Sequence, residues 1–204
     1  MVTSTSVSPA QHDQDLLGQT LLVIGGSAGI GLETARLARQ EGADVIITAR
    51  NPDRLHEAGL ELGARIAAFD ATDFDRLERF FDELPAPIDH VLITGPGPYY
   101  APLLEFDIEK LRRDVDAHLL LPLVVARKVA GNVRPGGTLL FMGGTGGRRT
   151  APGFYFLSAL TAAGPALTKN LALELAPVRV NMIAAGFVDT PLSATLLGDE
   201  LENR

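Results

Sequence analysis

The chain has 204 residues, 46% hydrophobic and 21% charged, the proportions of an ordinary soluble globular protein with a sizeable core. Its formal net charge of −7 excludes the basic face that non-specific nucleic-acid binding needs. It has no cysteine, which rules out disulfides, thiolate metal sites and cysteine nucleophiles and suits a reducing cytoplasm. No apolar run reaches the ~18 residues of a membrane-spanning helix.

Residues 1–15 are rich in Ser, Thr and Gln and lack the basic-then-apolar order of a signal peptide, so a flexible leader without chemistry is expected there. From residue 16 onward, short apolar runs alternate with helical patterns. Strands are predicted at 20–24, 44–49, 65–69, 90–94, 138–142 and 179–183, each rich in Val, Ile or Leu and bounded by Gly, Pro or Asp. Helices are predicted at 29–41, 53–62, 73–84, 107–133 and 154–176, with Pro165 expected to bend or interrupt the last. Near-continuous apolar strands are buried on both faces, as in a parallel sheet covered by helices. Strict βα alternation then predicts one Rossmann-like, doubly wound domain over residues 16–204, a three-layer αβα sandwich with right-handed crossovers.

The first strand runs straight into a glycine turn, Ile24-Gly25-Gly26-Ser27-Ala28-Gly29-Ile30-Gly31, that opens onto a helix. This is the build of a dinucleotide-binding βα unit, whose backbone N–H groups and positive helix end face a pyrophosphate. Gly25 allows the sharp turn, Gly29 lets backbone approach phosphate and Gly31 lets helix and strand pack closely. Ser27, Ala28 and Ile30 supply the backbone between them. The second strand ends Thr48-Ala49-Arg50-Asn51, where an acidic residue would bind a ribose 2′-hydroxyl and repel a 2′-phosphate. Ala49 removes that repulsion, and the Arg50 guanidinium can fork onto phosphate oxygens. NADP(H) is therefore expected over NAD(H); the alternative is that Arg50 is a solvated surface arginine. No metal is expected.

At this point the chain resembles the short-chain dehydrogenase/reductase family over about residues 18–192. Its glycine turn is similar to the family's Thr-Gly-x-x-x-Gly-x-Gly, with Ile24 in place of Thr. Phe69-Asp70-Ala71-Thr72-Asp73 resembles the family's Asp-Val-Thr-Asp segment, which implies that Asp70 and Ala71 border the adenine. Thr94-Gly95-Pro96-Gly97 stands where Asn-Asn-Ala-Gly follows the fourth strand. Arg179-Val180-Asn181 through Gly186, Val188 and Thr190-Pro191 is similar to the family's late Arg-Val-Asn…Pro-Gly…Thr segment, which implies that Gly186, Val188 and Thr190 contact the nicotinamide end. The resemblance also implies the strand order 3-2-1-4-5-6, the family's seventh strand being absent, and a homodimer or homotetramer formed through the two long helices. The closing residues 198–204 read as an interrupted helix.

The family transfers a hydride between nicotinamide and an alcohol or carbonyl, with a Tyr-x-x-x-Lys pair, a Ser and an Asn handling the oxygen and its proton. In ungapped register the tyrosine falls on Leu157, the lysine on Thr161, the serine on Gly144 and the asparagine on His118. Leu157 has no proton to give, and Thr161 carries no cation to lower a neighbour's pKa. Tyr99 and Tyr100, after the fourth strand, and His118 are the candidate substitutes. Histidine is the side chain whose ordinary titration lies near neutrality. Alternatively, the tyrosines pack a loop and His118 is a satisfied helix residue. Tyr155 is two residues from Leu157, about 200° around a helix, and should face elsewhere. Arg148 and Arg149 could hold an acidic substrate group or simply be solvated. The leading expectation is an NADP(H)-dependent oxidoreductase acting on a small-molecule carbonyl or alcohol with a non-standard proton donor. A catalytically silent NADP(H)-binding sensor or regulator, and a non-redox enzyme such as a cyclase or dehydratase, are the alternatives.

Overall fold

In the computed structural model the described residues are 15–85, 87–149 and 151–197. The leader expected over 1–15 lies almost wholly outside them, as does the closing segment 198–204. Six strands form one parallel sheet in the order β3-β2-β1-β4-β5-β6: β1 Thr20–Ile24, β2 Asp44–Ala49, β3 Arg65–Ala68, β4 Ile88–Ile93, β5 Val133–Gly144 and β6 Arg179–Ala185. The helices are α1 Gly29–Gln40, α2 Pro52–Leu62, α3 Phe74–Glu83, α4 Ile108–Val115, α5 Leu121–Asn132, α6 Tyr155–Glu174 and α7 Pro191–Leu197. The doubly wound parallel architecture expected from the alternation is the one observed.

Strand side chains alternate between faces, so each central strand feeds two cores. Leu22, Ile24, Val91 and Ile93 join Phe81, Leu121, Val125 and Leu139 in one cluster, against α3 and α5. Leu21, Val23, Val45, Ile47 and Leu92 join Ala35, Ala38, Leu55 and Ala58 in the other, against α1 and α2. Local chemistry starts the helices where the caps stand. The Asn51 side chain accepts the Arg54 N–H at 2.9 Å with Pro52 opening α2, and the Asp73 carboxylate accepts the Arg76 N–H at 3.0 Å at the start of α3.

Three expectations need correction. The helix predicted over 107–133 is broken by a π-helical turn at Asp116–Leu120, in which the Leu121 N–H reaches back to the Asp116 carbonyl. Pro122 has no N–H for the His118 carbonyl, so the ladder changes register there. The fifth strand begins at Val133, five residues before the predicted start, and takes up residues read as helix end and turn. Finally, α6 passes through Pro165 without interruption. Its packing outweighs the lost backbone bond: a side chain on Gly164 would stand 2.7 Å from the Met182 sulfur, so helix and β6 approach closely there. No described helix is long and apolar enough to cross a membrane.

At the edge of the sheet away from the glycine turn, the His90 ring Nε2 lies 2.7 Å from the Gln19 side-chain oxygen. Burial lowers its pKa below the ordinary 6.5, against the pull of Asp89 and with the push of Arg179. The unfolded chain therefore binds this proton more readily than the folded one. Stability from this site is complete above 6.5 and lost as pH falls. Urea midpoints measured from about pH 7 down to about pH 5 should fall less steeply in His90→Gln than in the parent. Parallel slopes would remove His90 from the account.

Candidate functional site

Tertiary hydrogen bonds, rather than glycine alone, shape the turn after β1. Gly25, at φ +99°, and Gly26 both donate to the Thr48 carbonyl of β2, at 2.9 and 3.0 Å. Thr94 donates its N–H to the Ile24 carbonyl and its hydroxyl to the Gly25 carbonyl, each at 3.0 Å. A Cβ on Gly25 would stand 2.6 Å from that hydroxyl, and one on Gly31 would run into the Gly25 carbonyl and Thr94 Oγ1. One on Gly26 would meet Ile47 Cγ2 at 2.6 Å. The chain is therefore drawn tight around a cradle that side chains would fill. Above it, α1 opens on Ala28 with no side-chain cap and no acidic residue in its first turn, so its first N–H groups remain for an anion.

The other predicted contact residues lie along the same carboxyl edge of the sheet. Thr190 comes back from β6 to the turn, its Cβ and Cγ2 each 3.5 Å from a Cβ position on Gly29, and its hydroxyl faces the Ser193 N–H at 3.3 Å. Gly186 and Val188 are exposed, and nothing lies within 4 Å of a Cβ on Gly186. Beyond β2, Arg50 is exposed, and its guanidinium has no hydrogen-bond or ion-pair partner among the described residues. Asn51 is occupied as the α2 cap. The Asp70 carboxylate is folded onto its own loop, accepting the Thr72 N–H at 2.9 Å and hydroxyl at 2.7 Å, with Ala71 beside it half-buried. These features fit a phosphorylated dinucleotide: a tight cradle, uncapped helix N–H groups and an unpaired guanidinium at the second strand end.

A cavity of about 80 Å³ lies beside the cradle, lined by Thr94, Gly95, Pro96, His118, Thr161 and Met182 among others. The structure brings Gly144, Leu157 and Thr161 together at its edge. A Cβ on Gly144 would be 3.5 Å from Thr161 Cγ2, and one on Gly146 would be 3.6 Å from Leu157 Cδ2. Leu157 is buried, and the Thr161 hydroxyl donates back to the Leu157 carbonyl at 2.9 Å. His118 sits in the π-helical turn with Nδ1 3.0 Å from the Asp114 carbonyl. A carbonyl only accepts, so Nδ1 carries the hydrogen and Nε2 of the neutral ring carries the lone pair.

The two tyrosines are placed differently. The Tyr99 hydroxyl accepts the Asp107 N–H at 3.2 Å, and its ring lies 5.0 Å from the Lys110 ammonium, so it is engaged by the start of α4. Tyr100 packs on Phe154, ring centroids 5.1 Å apart, and burial together with the Asp114 carboxylate raises its pKa above the ordinary 10.0. At neutral pH it is a phenol that can donate a hydrogen bond and does not act as a base. Tyr155 is on the exposed side of α6, its ring 6.5 Å from Phe106. Arg148 and Arg149 are exposed in the loop after β5, and both donate their N–H to the Thr145 carbonyl.

Asp114 escaped the sequence reading. It is 5% exposed and accepts the Tyr99 N–H at 2.9 Å, which ties the loop after β4 to the helix that carries His118. Its place four residues before His118, one helical turn, was the available signal.

Comparison with known proteins agrees with this geometry. The family model described as enoyl-(acyl carrier protein) reductase matches residues 25–204. Short-chain dehydrogenase/reductase ATR9 of Stachybotrys chlorohalonatus is 32% identical over 186 residues, covering 83% of this chain and 73% of its own. Short-chain dehydrogenase/reductase malC of Malbranchea aurantiaca is 28% identical over 216 residues, covering 96% of this chain and 82% of its own. A solved structure described as the MalC reductase/Diels-Alderase of that organism superposes with a TM-score of 0.83 at 28% identity, over 94% of this chain and 81% of its own. Another, of a short chain dehydrogenase/reductase family protein, gives 0.81 at 31% identity, over 90% and 80%. In sequence, in fold and in the placement of its glycine cradle, this chain belongs to the short-chain dehydrogenase/reductase family of oxidoreductases.

Proposed function

We propose that this protein binds NADP(H) and reduces a carbonyl, or oxidises the matching alcohol, with His118 handling the proton. The observation that carries the proposal is the His118 imidazole on the wall of the cavity beside the cradle, with Nδ1 anchored by the Asp114 carbonyl. The Gly25–Gly31 turn and the α1 N–H groups would hold the pyrophosphate. Asp70 and Ala71 would border the adenine, Arg50 and Asn51 the 2′-phosphate, and Thr94, Gly95, Pro96, Gly186, Val188 and Thr190 the nicotinamide side. When bound, the coenzyme supplies or accepts the hydride. The chain must then protonate the developing alkoxide, a task for which Leu157 has no group and for which the Thr161 hydroxyl is already committed to the Leu157 carbonyl. A protonated His118 can donate from Nε2 while Nδ1 keeps its carbonyl bond, so the ring need not turn during the transfer. Tyr100, held as a phenol, can support the same oxygen by hydrogen bonding.

The coenzyme preference has a direct test. Calorimetry on Arg50→Ala should show NADPH affinity falling about tenfold or more while NADH affinity changes little, the loss expected for one charge-assisted fork. Equal losses would return Arg50 to the solvated surface. Loss of reduced-coenzyme absorbance with a panel of ketones and aldehydes then tests turnover itself.

A second reading, a non-redox catalyst in the same crevice, is favoured by the aliphatic Leu157 and committed Thr161 at the positions that the family resemblance assigns to tyrosine and lysine. A similar solved structure is described as both reductase and Diels-Alderase, which supports a non-redox reaction on this fold. Tight NADPH binding without any turnover across the panel would favour this reading over the first.

A further inference from the structure

Segments at the carboxyl end of the sheet leave large apolar side chains open to solvent. Leu104 is 96% exposed, Phe187 52%, Leu192 46%, Phe106 43% and Tyr155 38%. They come from three separate segments: the loop between β4 and α4, the start of α6, and the β6–α7 connection with the first turn of α7. Contacts join these segments into one rim. Phe106 meets Tyr155 in an edge-on pair, and Tyr100 meets Phe154 at 5.1 Å. A Cβ on Gly97 would touch Leu192, and one on Gly153 would lie 3.4 Å from the Ala101 carbonyl. Of the charges in the first segment, the Asp107 carboxylate caps α4 and Lys110 lies over the Tyr99 ring, while Glu105 stands exposed between Leu104 and Phe106, where it disfavours an anionic ligand. Two of these segments also reach the cavity, through Gly95 and Pro96 and through Leu160 and Thr161, and apolar side chains gathered in this way mark a place where an apolar ligand displaces water.

We propose that the substrate is a bulky, uncharged molecule with an aromatic or fused-ring body, which rests on the Phe106–Tyr155 and Tyr100–Phe154 pairs and directs its reacting group into the cavity beside His118. This rests on the preceding reading of the crevice and adds to it the class of molecule it takes. Each aromatic pair spans two chain segments, so a flat ring body contacts both segments at once, and offset or edge-on contact with such rings favours it over a flexible chain of similar area. A small carboxylate would gain nothing from the rim and would have to be held by Arg148 and Arg149 after β5.

Equilibrium dialysis with 2-acetylnaphthalene, 2-octanone and pyruvate as probes, with NADPH affinity followed separately by calorimetry, provides the test. The aryl ketone should bind about tenfold tighter than 2-octanone, with pyruvate weakest. Phe106→Ala and Tyr155→Ala should each weaken the aryl ketone about three- to tenfold and leave NADPH affinity unchanged. Both side chains are exposed, so these variants should melt with the parent, and Leu104→Ser offers a third on the same rim. Preferred binding of pyruvate, or aryl-ketone affinity unmoved by all three variants, would overturn the proposal. So would a fall in molecular mass by light scattering in the variants, since a second copy would then be what covers the rim. A parent protein that takes up no NADPH would defeat the coenzyme reading while leaving the dialysis result to stand or fall alone.

Discussion

Replacing His118 with alanine should lower NADPH-dependent carbonyl reduction by about 10²–10⁴-fold, the usual worth of a positioned general acid. That corresponds to about 3–5 kcal/mol of transition-state stabilisation. The size follows from what surrounds the ring. Leu157 is aliphatic and buried, and Thr161 donates to the Leu157 carbonyl, so neither offers a proton to the cavity. Tyr100 packs on Phe154 with its pKa raised, and Tyr99 accepts from the Asp107 N–H. NADPH affinity by calorimetry should not move, because His118 lies beside the cradle and forms no part of it. His118→Asn is the informative companion, since its amide can still donate to the Asp114 carbonyl but holds no transferable proton. If asparagine restores the rate that alanine removes, the histidine serves only to position the turn and Tyr100 becomes the leading donor. A rate unchanged in both variants would remove His118 from the mechanism.

Gly31→Ala should cost both coenzyme and fold. The added methyl would run into the Gly25 carbonyl and stand 2.7 Å from Thr94 Oγ1, and neither is the far end of a flexible side chain. Relief requires α1 to move away from β1, which opens the cradle and breaks the Thr94 bond to Gly25. A loss of about 1–3 kcal/mol in unfolding free energy is expected, the range for overpacking a tight contact. NADPH affinity should fall by about tenfold or more as the N–H groups of α1 shift from the phosphates. Gly131→Ala is the matched control. It lies in α5 with open space around its Cβ, so it should stabilise by about 0.4–1 kcal/mol through the unfolded chain. Paired urea melts and calorimetry measure both quantities. If the two substitutions behave alike, close packing is not what glycine provides at residue 31.

Much of this molecule was legible from local pattern. The apolar runs that become β1, β2 and β4 are buried on both faces, and that is why they read as nearly continuous hydrophobic stretches. The glycine turn was legible because its spacing answers to backbone geometry that no other residue meets. The helix starts predicted at residues 73 and 107 coincide with the Asp73 and Asp107 caps, each made within three residues of sequence, whereas the start predicted at 53 falls two residues after the Asn51 cap. Contacts between distant segments were not. The early start of β5 at Val133 follows from pairing with Ile88, forty-five residues earlier in the chain. The unbroken α6 depends on its packing against β6. Asp114 acquires its role from the Tyr99 N–H, and Thr190 from its approach to Gly29.

The sequence by itself therefore determined the βα alternation and the glycine turn, because these patterns are short-range, and its motifs carried the family resemblance that implies the strand order. Only the tertiary structure decided which groups face the cavity. Nothing in the order of residues says that the Tyr99 hydroxyl is taken up by the Asp107 N–H, that the Asp114 carboxylate accepts the Tyr99 N–H, or that His118 stands on the cavity wall. Those outcomes are set by the packing of the β4–α4 loop against α4 and α6, which joins segments that are separate in sequence.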